Sequence, residues 1–227
     1  MNTALIVAAG SGKRFESDTP KQFLDLLGKP VIFHTLDRFV RADSIDNIVV
    51  VLAADRMDWF DQAMQEYPLG KATKTVEGGK TRAESVRNGF RAVPANTEYI
   101  AIHDAARPLV SVQEIERTIE GAQETGAACL TSPVIDTIKK VKGKRITATI
   151  DRTALRRAVT PQIFRYEILR EALSDSKLDE NVTDECYLVE MIGGEIAFVE
   201  GSSRNIKITV PDDLIIAEAL LRSESSN

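Results

Sequence analysis

The stretch TALIVAA, residues 3 to 9, is the first of several short apolar runs that predict buried β-strands. Between these runs, apolar residues return at helical spacing, as in PVIFHTLDRFV and QEIERTIEGAQETGA. Regular alternation of strands and helices is typical of a mostly parallel sheet with helices on its faces, so we predict an α/β fold. The other predicted strands lie at residues 47–53, 99–104, 128–135 and 196–201.

Residues 137–152, TIKKVKGKRITATIDR, depart from this alternation. Polar and β-branched residues alternate on both sides of Gly143, which predicts two antiparallel strands that form a protruding hairpin arm. A lone hairpin is only marginally stable in water. We therefore expect the arm to pack against another surface, such as a second subunit.

The composition is that of an ordinary globular protein. The 227 residues, 43% hydrophobic and 28% charged, can form one large domain or two small ones. The formal net charge of -5 offers no basic face to nucleic acid, so an anionic ligand must be held by local Arg and Lys. The apolar start is too short for a signal sequence or a membrane span, which predicts a cytoplasmic protein with no membrane partner; the mature form of a plastid protein is the alternative. Cys129 and Cys186 lack zinc-site spacing and are expected to be reduced.

The loop after the first strand, AAGSGKRFESDTPKQF at residues 8–23, has the glycines and basic residues of a phosphate-binding loop. It does not fit a Walker A motif, because Val7 takes the place of the first glycine and Arg14 the place of the hydroxyl residue. It does not fit a dinucleotide-binding turn either, because Phe15 stands where the third glycine belongs. Both common phosphate-binding motifs are therefore poor descriptions of this loop.

A third description of the loop is an anion-binding nest, in which backbone N–H groups surround a triphosphate. Arg14 and Lys21 flank the glycines, and such cations stabilise charge on an α-phosphate and on departing pyrophosphate. The alternative is a surface loop with solvated basic side chains. We favour the nest, because open α/β sheets bind ligands at the carboxyl ends of their strands.

The pattern A-A-G-x-G-x-R-x6-K-Q-F resembles the signature loop of the sugar-phosphate nucleotidyltransferases, a Rossmann-like α/β group with a three-layer domain. Further stretches, taken together and in order, resemble the family of 2-C-methyl-D-erythritol 4-phosphate cytidylyltransferases. These stretches are EGGKTRAESVRNG (77–89), HDAARP (103–108), PVIDTIK (133–139), DRTALRRAVTPQIF (151–164), TDE (183–185) and NIKIT (205–209). The resemblance covers nearly the whole chain, which implies a single domain over residues 1–227.

The resemblance implies transfer of CMP from CTP to 2-C-methyl-D-erythritol 4-phosphate, giving 4-diphosphocytidyl-2-C-methyl-D-erythritol and pyrophosphate in non-mevalonate isoprenoid biosynthesis. It also implies Mg²⁺ as cofactor and a homodimer formed through residues 137–157. The attacking phosphomonoester is largely dianionic at neutral pH, since its second pKa is about 6, so neither a protein nucleophile nor a strong general base is needed. Positioning and charge stabilisation are then expected to supply most of the rate.

The resemblance assigns roles to residues in four groups. The implied catalytic residues are Arg14, Lys21, Arg152 and Lys207. The implied nucleotide-binding residues are Ala8, Ala9, Gly10, Ser11, Gly12, Gly78, Ser85 and Asp104, with Asp104 also a candidate magnesium ligand. The implied substrate-binding residues are Arg107, Thr137, Thr160 and Thr183.

Several of these residues also have a purely structural explanation. Gly78 can mark a plain strand-to-helix turn, since glycine pairs are common there. Asp104 and Arg107 can form a structural ion pair. Thr160 and Thr183 can cap a helix or form a turn.

Two rival functions follow from the same residues. The first is a cytidylyltransferase for another polyol phosphate, such as ribitol 5-phosphate, because pocket shape rather than the phosphate contacts decides that choice. The second is a catalytically silent nucleotide-binding regulator. Retention of all four implied catalytic cations argues against the regulator, since a sensor needs no charge clamp on an in-line reaction.

Overall fold

The computed structural model describes residues 1–10, 15, 19–175 and 182–225, which form a central sheet, helices on both of its faces and a separate hairpin. The strands are β1 (Asn2–Val7), β2 (Asp25–Leu26), β3 (Lys29–Pro30), β4 (Asn47–Leu52), β5 (Ala72–Glu77), β6 (Tyr99–Asp104), β7 (Ala127–Pro133), β8 (Ile138–Lys142), β9 (Arg145–Ile150), β10 (Arg156–Arg165) and β11 (Ala197–Glu200). The helices are α1 (Val31–Arg41), α2 (Met57–Glu66), α3 (Arg82–Phe90), α4 (Val112–Thr125), α5 (Tyr166–Asp175), α6 (Glu185–Met191) and α7 (Pro211–Ser225).

The central sheet has seven strands in the order β11-β7-β10-β6-β1-β4-β5. β10 runs antiparallel to both of its neighbours, and the other strand pairs of this sheet are parallel. The predicted α/β fold with a mostly parallel sheet is therefore confirmed. Because β1, β4 and β6 are parallel, their carboxyl ends at Val7, Leu52 and Asp104 lie at the same edge of the sheet.

The two faces of the sheet are covered by different helices, which gives the three layers. Ala4 and Ile6 of β1 belong to one buried cluster with side chains of α1, α2 and α4, whereas Leu5 belongs to a second cluster with side chains of α3, α5 and α6. This division follows from the alternation of side chains along a strand. Phe33 and Phe60 are fully buried on the first face, and each such side chain contributes roughly 1.5–3 kcal/mol by its burial.

The predicted hairpin arm is present as the antiparallel pair β8 and β9, whose side chains are almost all exposed. Gly143 occupies the turn with φ +57°, a conformation that glycine adopts without strain. The hairpin ends at Ile150, and Arg156 and Arg157 already belong to β10, where they pair with Pro133 and Ser132 of β7. The two-stranded hairpin thus occupies part of the segment 137–157, whose role as a dimerisation arm stays a prediction, and Arg156 and Arg157 are both exposed.

Within the described residues, no helix is both long enough and apolar enough to cross a membrane.

Candidate functional site

A cavity of about 420 Å³ opens at the carboxyl ends of β1 and β6. Its wall combines segments that lie far apart in the sequence: the loop after β1, the start of α3, the end of β6 and the segment before α7. The residues predicted for the site that line it are Ala8, Ala9, Gly10, Lys21, Ser85, Asp104 and Lys207. The sheet edge thus brings together much of the site that the resemblance implies.

We call residues 8–12 the glycine loop, and Gln22 fixes the start of this loop. No role for Gln22 was predicted from the sequence. The buried side-chain amide of Gln22 donates to the carbonyl oxygens of Ala8 at 2.6 Å and Gly10 at 2.9 Å. The N–H of Ala8 donates to the carbonyl of Val51 at 2.7 Å, which ties the same segment to β4. The backbone of residues 8–10 is therefore held in one conformation at the mouth of the cavity.

Ser11, Gly12 and Arg14 lie outside the described residues, so their predicted roles stay predictions. Lys21 is described: it begins a short 3₁₀ turn, Lys21–Phe23, and lines the cavity. Phe23 anchors this turn, because its ring is buried against Trp59 with the centroids 4.9 Å apart. The turn therefore fixes the backbone of Lys21 at the wall of the cavity.

Gly78 packs directly against the glycine loop. A Cβ atom at this position would lie 2.3 Å from Cβ of Ala9, so a larger residue would push the two segments apart. Ser85 is buried, and its Oγ donates to the carbonyl of Thr81 at 2.8 Å and accepts from the N–H of Gly79 at 3.0 Å. In the structure Ser85 therefore holds the turn between β5 and α3 as well as lining the cavity.

Asp104 is the centre of a charged cluster at the floor of the cavity. Its carboxylate accepts from Lys207 Nζ at 2.8 Å, from Arg82 Nε at 3.3 Å and from Arg107 Nε at 3.4 Å. Burial alone would raise the pKa of Asp104, but these three cations outweigh it and hold the pKa well below its usual range. Asp104 is therefore ionised at neutral pH.

Arg107 and Thr160 support Asp104 and do not line the cavity. Arg107 also donates to the carbonyl of Asn205 at 2.9 Å, and its side chain is only 12% exposed. Thr160 is buried, and its Oγ1 accepts from the N–H of Asp104 at 3.1 Å. Arg107 forms the ion pair with Asp104 that was its alternative explanation, whereas Thr160 bonds from β10 to β6 and forms neither of its suggested alternatives, a helix cap or a turn. Their predicted contacts with substrate stay predictions.

Thr137, Arg152 and Thr183 are exposed and do not line this cavity. Thr137 precedes β8, and Arg152 follows β9 and donates to the carbonyl of Ile135, so both sit at the base of the hairpin arm. Thr183 comes directly before Asp184, whose side chain caps the N-terminus of α6. Their predicted contacts with substrate stay predictions.

Arg82 and Glu185 belong to the charged cluster, although sequence reasoning gave neither a role. Arg82 Nη1 donates to both carboxylate oxygens of Glu185, at 2.6 and 2.8 Å. The two residues are 103 positions apart, and no local pattern links them. The only signal in the sequence was their membership of the quoted stretches EGGKTRAESVRNG and TDE.

The described residues contain no cluster of three or more His, Cys, Asp or Glu side chains arranged to hold a metal ion. Asp104, the candidate ligand, already faces three cations, and a divalent ion at the same carboxylate would be repelled by them. The arrangement of side chains in the described cavity thus does not fit a magnesium ion held directly by the protein.

Neither histidine of the sequence is placed to act as a general base in the cavity. His103 is completely buried, and burial lowers its pKa to about 3. His34 contacts the carbonyl of Leu26 at 2.6 Å, and burial lowers its pKa as well. The cavity floor therefore offers cations and backbone groups to a bound anion.

Comparison with known proteins decides the family. The model of the family described as 2-C-methyl-D-erythritol 4-phosphate cytidylyltransferase (IspD) matches residues 2–223. The chain belongs to this family. Its members are cytidylyltransferases and thus nucleotidyltransferases, which confirms the enzyme class that the resemblance implied.

Individual IspD relatives match over nearly the full chain. The 2-C-methyl-D-erythritol 4-phosphate cytidylyltransferase of Bacillus velezensis is 40% identical, and the match covers 98% of this chain and 97% of the relative. A bifunctional IspD/IspF enzyme of Desulfotalea psychrophila is 41% identical, with 98% of this chain covered but 58% of that enzyme. This chain therefore spans little more than half of the bifunctional relative.

Solved IspD structures have the same fold. The cytidylyltransferase structure from Thermus thermophilus superposes with a TM-score of 0.78 at 34% identity, covering 98% of this chain and 100% of the other. The structure of 4-diphosphocytidyl-2C-methyl-D-erythritol synthase from Anaerococcus prevotii gives a TM-score of 0.85 at 28% identity, covering 97% and 98%.

Proposed function

We propose that this protein transfers the cytidylyl group of CTP to 2-C-methyl-D-erythritol 4-phosphate. An oxygen of the phosphomonoester attacks the α-phosphorus of CTP, the bond from that phosphorus to the bridging oxygen of the β-phosphate breaks, and pyrophosphate leaves. The product is 4-diphosphocytidyl-2-C-methyl-D-erythritol. Family membership and the arrangement of charges in the cavity support this reaction.

The observation that carries the proposal is the placement of Lys21 and Lys207 in one cavity with the glycine loop. Lys21 stands beside the loop, where we assign it to the triphosphate, and Lys207 stands at Asp104, where we assign it to the attacking phosphate. Two cations in one cavity can hold two anionic reactants that would otherwise repel each other. Arg14 is proposed to act with Lys21 on the departing pyrophosphate.

The nucleotide is proposed to enter along the loop formed by residues 8–12. The backbone at Ala8, Ala9 and Gly10 is fixed by Gln22, so its polar groups are oriented before CTP arrives. Gly78 lacks the side chain that would clash with Ala9, so the two segments that we propose to flank the base lie in direct contact. Preorganised backbone groups of this kind stabilise phosphate charge without reorganising during the reaction.

The attacking group needs no protein base. A phosphomonoester with a second pKa of about 6 is mostly dianionic at neutral pH, so its oxygen is already a nucleophile. The described part of the cavity fits a reaction without a protein base. No histidine lines it, and its titratable groups are Lys, Arg and the Asp104 carboxylate, which stays ionised.

We further propose that the working enzyme is a homodimer and that each arm completes the cavity of the other copy. Thr137 and Arg152, assigned to the polyol phosphate, sit at the base of the arm and outside the cavity of their own chain. The arm exposes Val141 at 62% and Ile146 at 67%, and such side chains favour a covered surface. An exchanged arm would bury these residues and deliver Arg152 to the attacking phosphate.

Magnesium is proposed to arrive with CTP, held by the triphosphate and water. Mg²⁺ often keeps several waters and binds through substrate phosphates, which suits a cavity whose carboxylate is surrounded by cations.

The cytoplasmic location stays a prediction.

The experiment that tests the function is a pyrophosphate-release assay with purified protein. Each of the four ribonucleoside triphosphates is crossed with methylerythritol phosphate, ribitol 5-phosphate and related polyol phosphates. We expect release with CTP and methylerythritol phosphate to exceed every other pair by about 100-fold in kcat/KM, a discrimination that a shaped polar pocket can supply.

Two results would contradict the proposal. A preference for ribitol 5-phosphate would assign the protein to a different polyol phosphate. Calorimetric binding of CTP without pyrophosphate release from any pair would make it a nucleotide sensor.

A further inference from the structure

Glu185 is a buried carboxylate that the proposed reaction does not use. Its side chain is 0% exposed, and an uncompensated charge at such a place would be strongly destabilising. Arg82 Nη1 contacts both of its oxygens, at 2.6 and 2.8 Å. Burial raises the pKa of Glu185, and the Arg82 guanidinium opposes that rise.

Glu185 is itself fixed in place by its backbone. Its N–H and that of Cys186 both donate to Oε1 of Gln162, each at 3.2 Å, while Gln162 Nε2 donates to Asp184 at 2.8 Å. Gln162 lies in β10, near the middle of the sheet. The sheet therefore determines where Glu185 sits, and Glu185 determines where the Arg82 guanidinium sits.

The other side of Arg82 faces the cavity. Arg82 Nε donates to Oδ1 of Asp104 at 3.3 Å, while Lys207 and Arg107 contact Oδ2 of the same residue. Of these three cations Lys207 is the most exposed, with 35% of its side chain accessible compared with 27% for Arg82 and 12% for Arg107. Lys207 is also a single ammonium group on a flexible stem, so it is the cation best able to turn away from Asp104.

If Lys207 binds the attacking phosphate, that phosphate competes with the Asp104 carboxylate for the Lys207 ammonium group. Asp104 is almost buried, at 10% exposure, and must keep enough positive charge nearby when Lys207 leaves. Arg82 and Arg107 supply that charge in the structure. Without Arg82, Asp104 would keep only Arg107, whose Nε is 3.4 Å away, and would hold Lys207 more strongly.

We propose that Arg82 is a positioning residue: Glu185 fixes its guanidinium beside Asp104, and this contact allows Lys207 to leave Asp104 and bind the phosphate of the attacking substrate. The inference rests on the phosphate-binding role that the proposed function gives to Lys207. It assigns Arg82 and Glu185 to the binding of the second substrate, although neither residue needs to touch it.

The test compares Arg82→Lys and Glu185→Gln with the unmodified protein. A lysine at position 82 keeps the charge but carries one ammonium group, which can pair with Glu185 or with Asp104 and cannot span both. Glu185→Gln keeps the shape and removes the charge that fixes Arg82. Arg91→Gln, on an exposed arginine just after the same helix, is the matched control for loss of charge.

Two affinities are measured by calorimetry, for inorganic phosphate and for CTP, and KM and kcat are measured with both substrates. For Arg82→Lys we expect phosphate affinity and kcat/KM for methylerythritol phosphate to fall about tenfold, as for loss of one charged hydrogen bond, while CTP affinity changes by less than about threefold. Glu185→Gln should shift the same quantities in the same direction, and Arg91→Gln should change none of them. Thermal unfolding of each variant confirms that it is folded.

A double-mutant cycle with Asp104→Asn separates positioning from direct contact. With Asp104 uncharged there is no competitor for Lys207, so adding Arg82→Lys should no longer weaken phosphate binding. An undiminished effect in that background would mean that Arg82 binds the phosphate itself, and unchanged phosphate affinity in Arg82→Lys alone would also overturn the inference. If no substrate pair turns over but the cycle behaves as expected, the proposed function fails and the inference stands.

Discussion

Gln22 is the residue that holds the glycine loop, and its contacts give a direct prediction. Gln22→Met keeps the length of the side chain but removes both donors, so the carbonyls of Ala8 and Gly10 lose their partner. We expect CTP affinity to fall about tenfold and stability to fall by about 1–3 kcal/mol, the cost of unsatisfied buried polar groups. Calorimetry and urea unfolding measure the two effects. Gln113→Met, at an exposed position of α4, is the control.

Gln22→Met has a clear opposing outcome. If CTP binds the variant as tightly as it binds the parent protein, the fixed loop conformation is not what holds the nucleotide.

Lys21 is expected to act on the transition state more than on bound CTP. Lys21→Ala should lower kcat by about 100-fold or more, as loss of an electrostatic contact to developing charge does, and should change CTP affinity by less than about threefold. Pyrophosphate release and calorimetric binding are the measurements. Lys74→Ala, an exposed lysine on the edge strand β5, is the control. Equal losses in CTP binding with little change in kcat would show that Lys21 merely docks the nucleotide.

His103 makes stability depend on pH. Its buried ring contacts the carbonyl of Arg107 through Nε2 at 3.1 Å, and Nδ1 has no hydrogen-bond partner among the described residues. Burial lowers the pKa from 6.5 to about 3, so between these values the unfolded chain binds a proton that the folded protein does not. Stability from this residue is therefore complete above about pH 6.5 and is lost as the pH falls toward 3.

His103→Gln tests this dependence, since the amide can still donate to the carbonyl of Arg107. Between about pH 7 and pH 5 the parent protein should lose about 2 kcal/mol of unfolding free energy from His103, and the variant should lose that much less. Urea unfolding at the two pH values gives the comparison. Identical losses in the two proteins would mean that His103 is not the group responsible.

At the scale of elements, α4 is fixed through Glu114. The carboxylate of this buried residue accepts from the N–H of Ser111 at 2.8 Å, completing a capping box, and from the N–H of Ser202 at 2.6 Å after β11. Glu114→Ala should lower the free energy of unfolding by about 2–3 kcal/mol, compared with about 1 kcal/mol for Ser111→Ala, because two backbone N–H donors in partly buried hydrogen bonds lose their charged partner. Urea unfolding measures both, with the exposed Glu120→Ala as control. A cost for Glu114→Ala no larger than that of Glu120→Ala would contradict the link.

Comparison of the predicted with the observed strands shows which sequence patterns predict a strand reliably. β1, β4 and β6 are continuous apolar runs and were predicted near their observed bounds. β5, ATKTVE, is an edge strand with a polar pattern, and β10 contains Pro161, which usually argues against a central strand, so neither was predicted. Here the neighbouring strands on both sides of β10 override the local signal.

At the scale of the whole molecule, the dimer proposal predicts that the arm controls assembly. Val141→Asp combined with Ile146→Asp places charge on two exposed apolar positions of the hairpin. We expect the dissociation constant of the dimer to rise by at least about 100-fold, as when central interface contacts are lost. Sedimentation velocity measures assembly, and the pyrophosphate assay should show reduced use of methylerythritol phosphate while CTP binding persists.

The control for the arm variant is Ile215→Asp, since Ile215 is equally exposed, at 69%, but lies on α7. A parent protein that is monomeric at assay concentrations, or a double variant that remains dimeric, would contradict the exchange of arms.

The sequence could predict the site residues that lie in recognisable motifs, but not the contacts between them. Lys21, Asp104 and Lys207 lie in recognisable stretches, and the fold brings them to one cavity. The pairing of Arg82 with Glu185 could not be predicted, because it depends on how α3 and α6 meet across 103 residues. Physical contact between distant charges is decided by the packing of elements, which local spacing does not encode.

β10 also determines when the sheet can be completed as the chain is synthesised. In the sheet, β10 lies between β7 and β6 and pairs with both. The neighbouring strands on the other side, β6, β1, β4 and β5, all lie within the first 104 residues. A ribosome releases the N-terminal part first, so these four strands can pair early, while β7 must wait for residues 156–165. The arm emerges before the strand that secures its base. Pairing of β7 with the rest of the sheet therefore requires that residues 156–165 have been synthesised, and the proposed exchange of arms requires the same segment.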